Sequence, residues 1–351
     1  MQRVSRAEAD AQRIADRLKL HPGRGGCGVG AIADPSGPSR ELIELALAGL
    51  GCVEHRGGSI DDTGDGAGLL FTTERSFFER FVSPGRRLPE QDQLGIGVFS
   101  FPFGESANVP PLQARIDGLL RRHGLSPLGW RHVPVDPSAL GARSRQAQRD
   151  PWQALIGQGM LPATDLSIAY FRVKAEIERQ FPAITVVSFS PRTVIYKALA
   201  TGPQLERYYA DLRDPELIAD VVLFHRRYST NTLSNWALTQ PFRIIAHNGE
   251  INTIKANRTA IASLERELSL GGVLMQLGSD SADLDRAVEL FTSHGVSLPE
   301  TILRLMPAAW REFAAEDSAE ARFSKGVQRA LGTIAAWEGP EIGRASCRER
   351  G

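Results

Sequence analysis

The sequence carries at residues 221–232 the stretch VVLFHRRYSTNT, in which an apolar run gives way abruptly to charged and hydroxyl side chains. A run rich in β-branched and aromatic residues predicts a buried strand over Val221–Phe224. The polar residues that follow stand at the end of this strand, where active sites are commonly built. The stretch FRIIAHNGEINT at residues 242–253 repeats the arrangement and predicts another strand over Phe242–His247.

Strands and helices follow one another irregularly along the rest of the chain. Short β-branched or aromatic runs predict strands over Val29–Ala33, Leu69–Thr73, Leu94–Phe101, Ile184–Phe189 and Thr193–Leu199. Helical spacing predicts a helix capped by Ser39 and running to Leu50, one over Leu112–His123, one capped by Asp165 and running to Phe181, and mostly helix from Thr253 to Trp337. Strand groups separated by helices, without strict alternation, indicate a layered α+β fold, and the lack of a linker favours one large domain.

The composition argues against several classes of function. The 41 basic side chains are matched by 41 acidic ones, which disfavours a nucleic-acid binder or a polybasic membrane ligand. The chain has no apolar run long enough to span a membrane, and residues 1–26 lack the apolar core of a secretory signal. The three cysteines are too few for a disulfide scaffold and indicate a reducing, cytoplasmic location.

The last residues differ in character from the rest of the chain. Residues 341–351, EIGRASCRERG, show no apolar periodicity and look like the translation of a sequencing adapter, so we expect them to form no part of the fold. Without them the net charge is −1, and the remaining cysteines are Cys27 and Cys52.

Four further segments concentrate glycine and polar residues between apolar runs. They are GGCGVG at residues 25–30, EHRGG at 54–58, GDGAG at 64–68 and GSDS at 278–281. Together with the two stretches above, these motifs resemble the class II, N-terminal-nucleophile glutamine amidotransferase domain at the amino end of glutamate synthase large chains. The resemblance covers residues 27–340. It implies a four-layer αββα sandwich that is incomplete at its C-terminus, with Cys27 opening an inner strand.

Cys27 is the nucleophile that this resemblance implies. A free thiol has a pKa near ~8.5 and needs a base, and an α-amine on the same residue, with a pKa of about 7.7–8.0, can serve. That mechanism requires Cys27 to become the first residue, so residues 1–26 are interpreted as a propeptide and residues 27–340 as the catalytic domain. Judged by spacing alone, Cys27 is equally a small buried residue at the start of a strand.

The motif at residues 247–253 implies the oxyanion hole. Asn248 can donate through its side-chain amide and Gly249 through its backbone N–H to the tetrahedral intermediate. The same dipeptide is also a common hairpin turn, and the two interpretations are compatible because an oxyanion hole can be built on a turn.

The resemblance also assigns the residues that would recognise glutamine. Arg227 aligns with the ligand of the substrate carboxylate, Asp280 with the ligand of the α-amine, and Arg56 with a loop that shapes the pocket. Without the motifs, the two arginines would be a strand-end and a loop charge among the 36 arginines of the chain, and Asp280 would be a helix N-cap. His225 and His247 stand at strand ends, where we expect structural hydrogen bonds rather than metal ligation.

A glutaminase of this kind works within a larger enzyme of glutamate biosynthesis and ammonia assimilation. The resemblance implies that ammonia passes to 2-oxoglutarate at a synthase site in further domains of the same chain. The complete enzyme would be an oxidoreductase that uses FMN and an iron–sulfur cluster. The electron donor would be reduced pyridine nucleotide or ferredoxin, and the partner that delivers the electrons would be a small electron-donating subunit or ferredoxin. No cofactor is expected in residues 1–351. Two alternatives remain open: another class II amidotransferase with a different acceptor, and an unprocessed domain without catalytic activity.

Overall fold

The computed structural model describes residues 28–90, 92–227, 235–247, 251, 253–268, 279–306, 318–319, 321–322 and 326. The chain divides into two compact units, one ending at Asn248 and one beginning at Gly249. Among the described residues, no helix is long and apolar enough to cross a membrane.

The first unit contains two antiparallel sheets. Its strands are β1 (Gly28–Ala33), β2 (Ser59–Ile60), β3 (Thr63–Gly64), β4 (Ala67–Thr72), β5 (Leu94–Pro102), β6 (Ser126–His132), β7 (Arg149–Gly157), β8 (Thr185–Ser190), β9 (Thr193–Ala198) and β10 (Val221–Arg226). The first sheet has the order β1-β10-β4-β9 and the second the order β6-β7-β5-β8, while β2 and β3 form a short ladder of their own. The helices of this unit are α1 (Arg40–Cys52), α2 (Arg75–Glu79), α3 (Val109–Arg122), α4 (Ala142–Gln146), α5 (Ala163–Gln180) and α6 (Gly202–Tyr208).

Two apolar cores lie on the two faces of the second sheet. One cluster contains buried side chains of both sheets and of α1, among them Ile43, Phe71 and Ile96. The other contains side chains of the second sheet, α3 and α5, among them Phe99 and Val173. Strand β5 supplies both cores because alternate residues of a strand point to opposite faces. Burying each of these side chains contributes about 1.5–3 kcal/mol.

Gly95 on β5 permits close packing of α5 on the second sheet. A Cβ atom at this position would lie 1.7 Å from the hydroxyl oxygen of Tyr170 on α5. A side chain at position 95 would therefore have to displace the buried Tyr170 ring.

The described part of the second unit is helical. Its helices are α7 (Ile254–Glu267), α8 (Asp280–Ser293) and α9 (Leu298–Leu305). Helix α8 is buried from Ser281 to Val288 and at Leu290, and the Nε atom of Arg258 on α7 donates to Asp283 on α8 at 2.7 Å.

Most of the strands predicted from β-branched runs are present, as are helices α1, α3 and α5. The mixed class with antiparallel sheets is therefore confirmed. Of the two predicted caps, Asp165 was wrong and Ser39 was confirmed in its position. Helix α5 begins at Ala163, which places Asp165 in its first turn, and Ser39 occupies the cap of α1 without a side-chain hydrogen bond. The backbone of Ser39 pairs with Ala219 instead.

The predicted strand over Phe242–His247 was wrong. The N–H of Phe242 donates to the carbonyl of Ile245 in a turn, at 3.0 Å, and the segment forms no strand. The chain just before this segment is bound by the side chain of a first-sheet strand, β9. The Lys197 ammonium donates to the carbonyls of Ala237 and Thr239 at 3.0 and 2.7 Å.

Candidate active site

The sequence-predicted site residues fall into three groups. Cys27, Asn248 and Gly249 lie outside the described residues. Arg56 and Arg227 belong to the first unit, and Asp280 belongs to the second.

The register of the first sheet brings three of the motifs together. Gly28, the residue after Cys27 in the chain, pairs with Arg226 at the end of β10. Arg226 pairs on its other side with Ala67, the first residue of β4. The GGCGVG, GDGAG and HRRYSTNT motifs therefore meet at one edge of this sheet because β10 runs between β1 and β4.

Arg226 is the buried centre of this edge, with 1% of its surface exposed. Its Nε and Nη2 atoms donate to the Glu54 carboxylate at 3.0 and 2.7 Å. Its Nη1 atom donates to Asp65 and to the carbonyl of Gly66, and Nη2 also donates to the carbonyl of Gly58 at 3.2 Å. Each of the five N–H donors of the guanidinium thus has an acceptor.

Glycine is required where the EHRGG loop passes Arg226. A Cβ atom at Gly57 would lie 2.1 Å from Cζ of Arg226. The guanidinium therefore packs against bare backbone, and a side chain at position 57 would displace the arginine that ties the loops together.

The side chain of Arg227 is partly exposed, whereas that of Arg226 is buried. Its backbone has φ 109°, a conformation that costs a non-glycine residue roughly 1–3 kcal/mol. The N–H of Arg227 donates to the carbonyl of Gly66 at 2.7 Å, which helps to hold this conformation. The side chain is 37% exposed, and its Nε lies 3.3 Å from Asp65 Oδ2, close enough for an ion pair although the N–H is not aligned for a hydrogen bond. No described residue bonds to the two terminal nitrogens of this guanidinium.

His225 joins this edge to the second polar stretch. The imidazole is fully buried, with Nδ1 at 3.2 Å from the carbonyl of Arg227 and Nε2 at 3.3 Å from the carbonyl of His247. Burial lowers the pKa of His225 to about 4, so the ring is neutral at pH 7 and can donate its single proton to one carbonyl at a time. The predicted structural role of His225 agrees with these contacts.

Gln240 holds His247, the residue before Asn248 in the chain. Its side-chain amide donates to the carbonyl of His247 at 3.3 Å and accepts from the N–H of the same residue at 3.2 Å. These two bonds, with that of His225, fix the backbone that leads into the predicted oxyanion-hole dipeptide.

Asp280 is the first residue of helix α8, and Arg56 is the last residue of a short 3-10 turn. Ser279, rather than Asp280, is the N-cap of α8, and its hydroxyl accepts from the N–H of Ala282. Asp280 stands in the first turn of the helix, where its carboxylate accepts from the N–H of Ile251 at 3.0 Å. Arg56 ends the short 3-10 turn Glu54–Arg56 and is partly exposed.

Sequence reasoning did not single out Arg226, Glu54 or Asp65. Strand alternation could have indicated that one of the adjacent arginines points inward. The two carboxylates lie 172 and 161 residues away from Arg226 in the chain, so no local pattern could have paired them with it.

Cys52, the one cysteine among the described residues, does not have the properties of a nucleophile. Burial raises the pKa of Cys52, which lies in the last turn of α1. Within the described residues, no three His, Cys, Asp or Glu side chains come together in a way that could hold a metal ion.

Comparison with known proteins gives a consistent result. Residues 27–343 match the family described as class-II glutamine amidotransferases. A ferredoxin-dependent glutamate synthase 2 from Synechocystis sp. is 36% identical over 308 residues, which cover 82% of this chain and 20% of that protein. The large chain of an NADPH glutamate synthase from Bacillus subtilis is 32% identical over 309 residues, with the same two coverages of 82% and 20%. The chain thus spans about a fifth of the length of these curated relatives.

Proposed function

Because the chain belongs to the class II glutamine amidotransferases, we propose that it hydrolyses L-glutamine to glutamate and ammonia. The observation that carries the proposal is the edge of the first sheet where Gly28 pairs with Arg226. The residue before Gly28 is the candidate nucleophile Cys27, and the residue after Arg226 is Arg227, whose guanidinium has its terminal nitrogens available to a carboxylate.

Cys27 attacks the amide carbon of glutamine in this proposal. Its own α-amine accepts the thiol proton, a sulfur–carbon bond forms, and the proton passes to the leaving nitrogen, which departs as ammonia. Water then hydrolyses the thioester, releasing glutamate and restoring the thiol. The amine becomes available only when the Gly26–Cys27 bond is cut, so residues 1–26 act as a propeptide.

Asn248 and Gly249 stabilise the oxyanion of the tetrahedral intermediate. Donors of this kind contribute about 2.7–4 kcal/mol each to the catalysed step when they are held in place beforehand. The hydrogen bonds of His225 and Gln240 to the backbone of His247 support this role, because they restrict the residue that precedes the pair.

Arg227 binds the α-carboxylate of glutamine, and Asp280 binds its α-ammonium. A guanidinium matches a carboxylate through two parallel hydrogen bonds, and Arg227 has two terminal nitrogens to offer. Arg56 shapes the pocket from the EHRGG loop.

The fold proposed for residues 27–340 is the four-layer αββα sandwich of N-terminal-nucleophile hydrolases. One core shared by both sheets and α1, and another between the second sheet, α3 and α5, support it. Residues 341–351 stand outside this domain as a tail of foreign origin.

In the complete enzyme, the ammonia would be used to convert 2-oxoglutarate to glutamate. The relatives named above include both ferredoxin-dependent and NADPH-dependent synthases, so they do not distinguish the electron donor. An iron–sulfur cluster is held by several cysteines, and this chain has only Cys27, Cys52 and Cys347. We propose that further domains of the synthase bind FMN and the cluster, and that the whole enzyme is cytoplasmic.

Ammonia release from L-glutamine tests the proposal. We expect the chain with Cys27 at its amino terminus to release ammonia and Cys27→Ala to lose at least about a thousandfold in rate. Cys52→Ala is the matched control and keeps the rate within about twofold. Equal ammonia release by the Cys27→Ala chain would exclude this nucleophile, and no release by the processed chain would exclude the activity.

A further inference from the structure

Asp65 makes contacts that the proposed chemistry does not explain. Its two carboxylate oxygens are divided between the adjacent arginines at the end of β10. One oxygen accepts from Arg226 Nη1, and the other lies 3.3 Å from Arg227 Nε. The second oxygen also accepts from the N–H of Gly58 at 2.8 Å, so the carboxylate is anchored to the EHRGG loop as well.

The backbone fixes Asp65 as firmly as its side chain does. Its N–H donates to the carbonyl of Gly58 at 3.0 Å, which makes a reciprocal pair with the bond from Gly58 to the carboxylate. The side chain is 13% exposed. A carboxylate held at this many points has little freedom to follow Arg227, so the arginine must adapt to it.

Two carboxylates, of Glu54 and Asp65, balance the charges of the two adjacent arginines at this edge. Glu54 receives two hydrogen bonds from the Arg226 guanidinium, which also donates to Asp65. Asp65 then compensates the charge of Arg227 on its Nε side. The opposite, terminal side of the Arg227 guanidinium is the side that two oxygens of a carboxylate can bind.

We propose that Asp65 is a positioning residue for substrate recognition: it orients the guanidinium of Arg227 so that its terminal nitrogens meet the α-carboxylate of glutamine. The proposal rests on the glutaminase function proposed above. Asp65 does not touch the reacting amide, so its effect is confined to the carboxylate end of the substrate.

Asp65→Asn tests this role, because it keeps the shape of the side chain and removes its charge. We compare kcat/KM for L-glutamine with kcat/KM for 4-aminobutanamide, which is glutamine without its α-carboxylate. The ratio of the two values is independent of the fraction of folded protein, because both are measured on the same sample. We expect the ratio to fall at least about tenfold in Asp65→Asn, through a higher KM for glutamine with kcat nearly unchanged.

Glu54→Gln is the matched control. This substitution removes the charge of the other carboxylate that binds Arg226, and position 54 does not contact Arg227. We therefore expect the ratio of the two kcat/KM values in Glu54→Gln to stay within about twofold of the wild-type ratio. In an Arg227→Ala background, Asp65→Asn should lower the ratio no further, since the group that it orients is gone.

The outcomes separate this inference from the function on which it rests. No glutamine hydrolysis by the unsubstituted processed chain would defeat the function itself. A raised KM in Arg227→Ala together with an unchanged ratio in Asp65→Asn would defeat the role of Asp65 alone. An equal fall in Glu54→Gln would also overturn it, because the effect would then come from Arg226 and the fold of the loops.

Discussion

Arg226 on β10 and Arg131 on β6 are both buried and both bound to carboxylates, yet their surroundings differ. Arg131 donates to Gln153 at 2.7 Å, to Tyr196 at 3.0 Å and to Asp211, and its guanidinium lies 4.0 Å from the centre of the Phe81 ring. Side chains of both sheets thus surround Arg131, whereas backbone carbonyls of two loops and the carboxylates of Glu54 and Asp65 surround Arg226.

The network of Arg131 closes on itself. The phenol of Tyr196 donates to Asp211 and accepts from Gln153 at 3.1 Å. Burial, together with the nearby Asp211 charge, holds the pKa of Tyr196 well above its usual value, so the phenol keeps its proton. One cation and one carboxylate balance there, and no group is left over for a ligand.

The network of Arg226 remains open at Arg227. Its two carboxylates balance two cations, and the second cation is partly exposed at the end of the strand. The comparison teaches that a buried ion pair alone does not indicate a binding site. A binding site is indicated when such a pair also contacts a second, partly exposed charged side chain that can still bind a ligand.

The largest effect expected from this comparison concerns the stability of the Arg131 network. Arg131→Ala leaves Asp211 buried without its counterion, so we expect the free energy of unfolding to fall by about 3–5 kcal/mol. The KM for glutamine of the folded fraction should not change. Urea unfolding and glutaminase kinetics on the same sample check both statements.

Arg122→Ala is the control for that measurement. Arg122 is 64% exposed and forms a surface ion pair with Glu176 on α5, which contributes about 0–1 kcal/mol. A stability loss in Arg131→Ala as small as that of the control would contradict the closed-network interpretation.

The next effect concerns substrate binding. Arg227→Ala removes a charge-assisted contact of roughly 1.5–3 kcal/mol, which raises the KM for glutamine about 10- to 150-fold. The free energy of unfolding should change by less than about 0.5 kcal/mol, because the side chain is partly exposed. An unchanged KM would show that Arg227 does not bind the substrate.

The smallest effect is a difference in acid sensitivity between the two regions. His225, beside Arg226, has a pKa of about 4 in the folded chain, below its usual value near 6.5, so the unfolded chain binds the proton first as the pH falls. Its contribution to stability is complete above pH ~6.5 and is lost toward pH ~4, with about 2 kcal/mol gone at pH ~5.

The variant His225→Gln isolates this contribution. The stability difference between wild type and His225→Gln should shrink by about 2 kcal/mol between pH ~7.5 and pH ~5, measured by urea unfolding. A difference that stays constant over this range would mean that His225 is not held neutral.

The sequence predicted the fold best where strands are built from β-branched and aromatic residues. Strands β4, β9 and β10 were recognised in this way, while β6 and β7 were missed. The segment of β6 contains Pro127 and Gly129, and its register shifts between these two residues. Both missed strands also direct polar side chains, Arg131 and Gln153, into the buried network, which breaks the apolar pattern that marks a strand.

The sequence predicted the motifs of the candidate site but not the contacts between their side chains. The resemblance pointed to Arg227, which the structure places at the end of β10 next to the partner of Gly28. The contacts of Asp65 and Glu54 with Arg226 arise only when three loops meet in space. Phe242–His247 was predicted as a strand because its apolar residues suit one, but it forms a turn whose last residue, His247, is bound by the side chains of Gln240 and His225.

The most direct test of the central claim is the intact mass of the protein after reaction with 6-diazo-5-oxo-L-norleucine, a glutamine analogue that alkylates glutaminase nucleophiles. We predict a chain that begins at Cys27 and carries one adduct on that residue, with labelling suppressed by excess L-glutamine. A chain that begins at Cys27 and remains unlabelled, or one that is labelled at Cys52 regardless of glutamine, would contradict it.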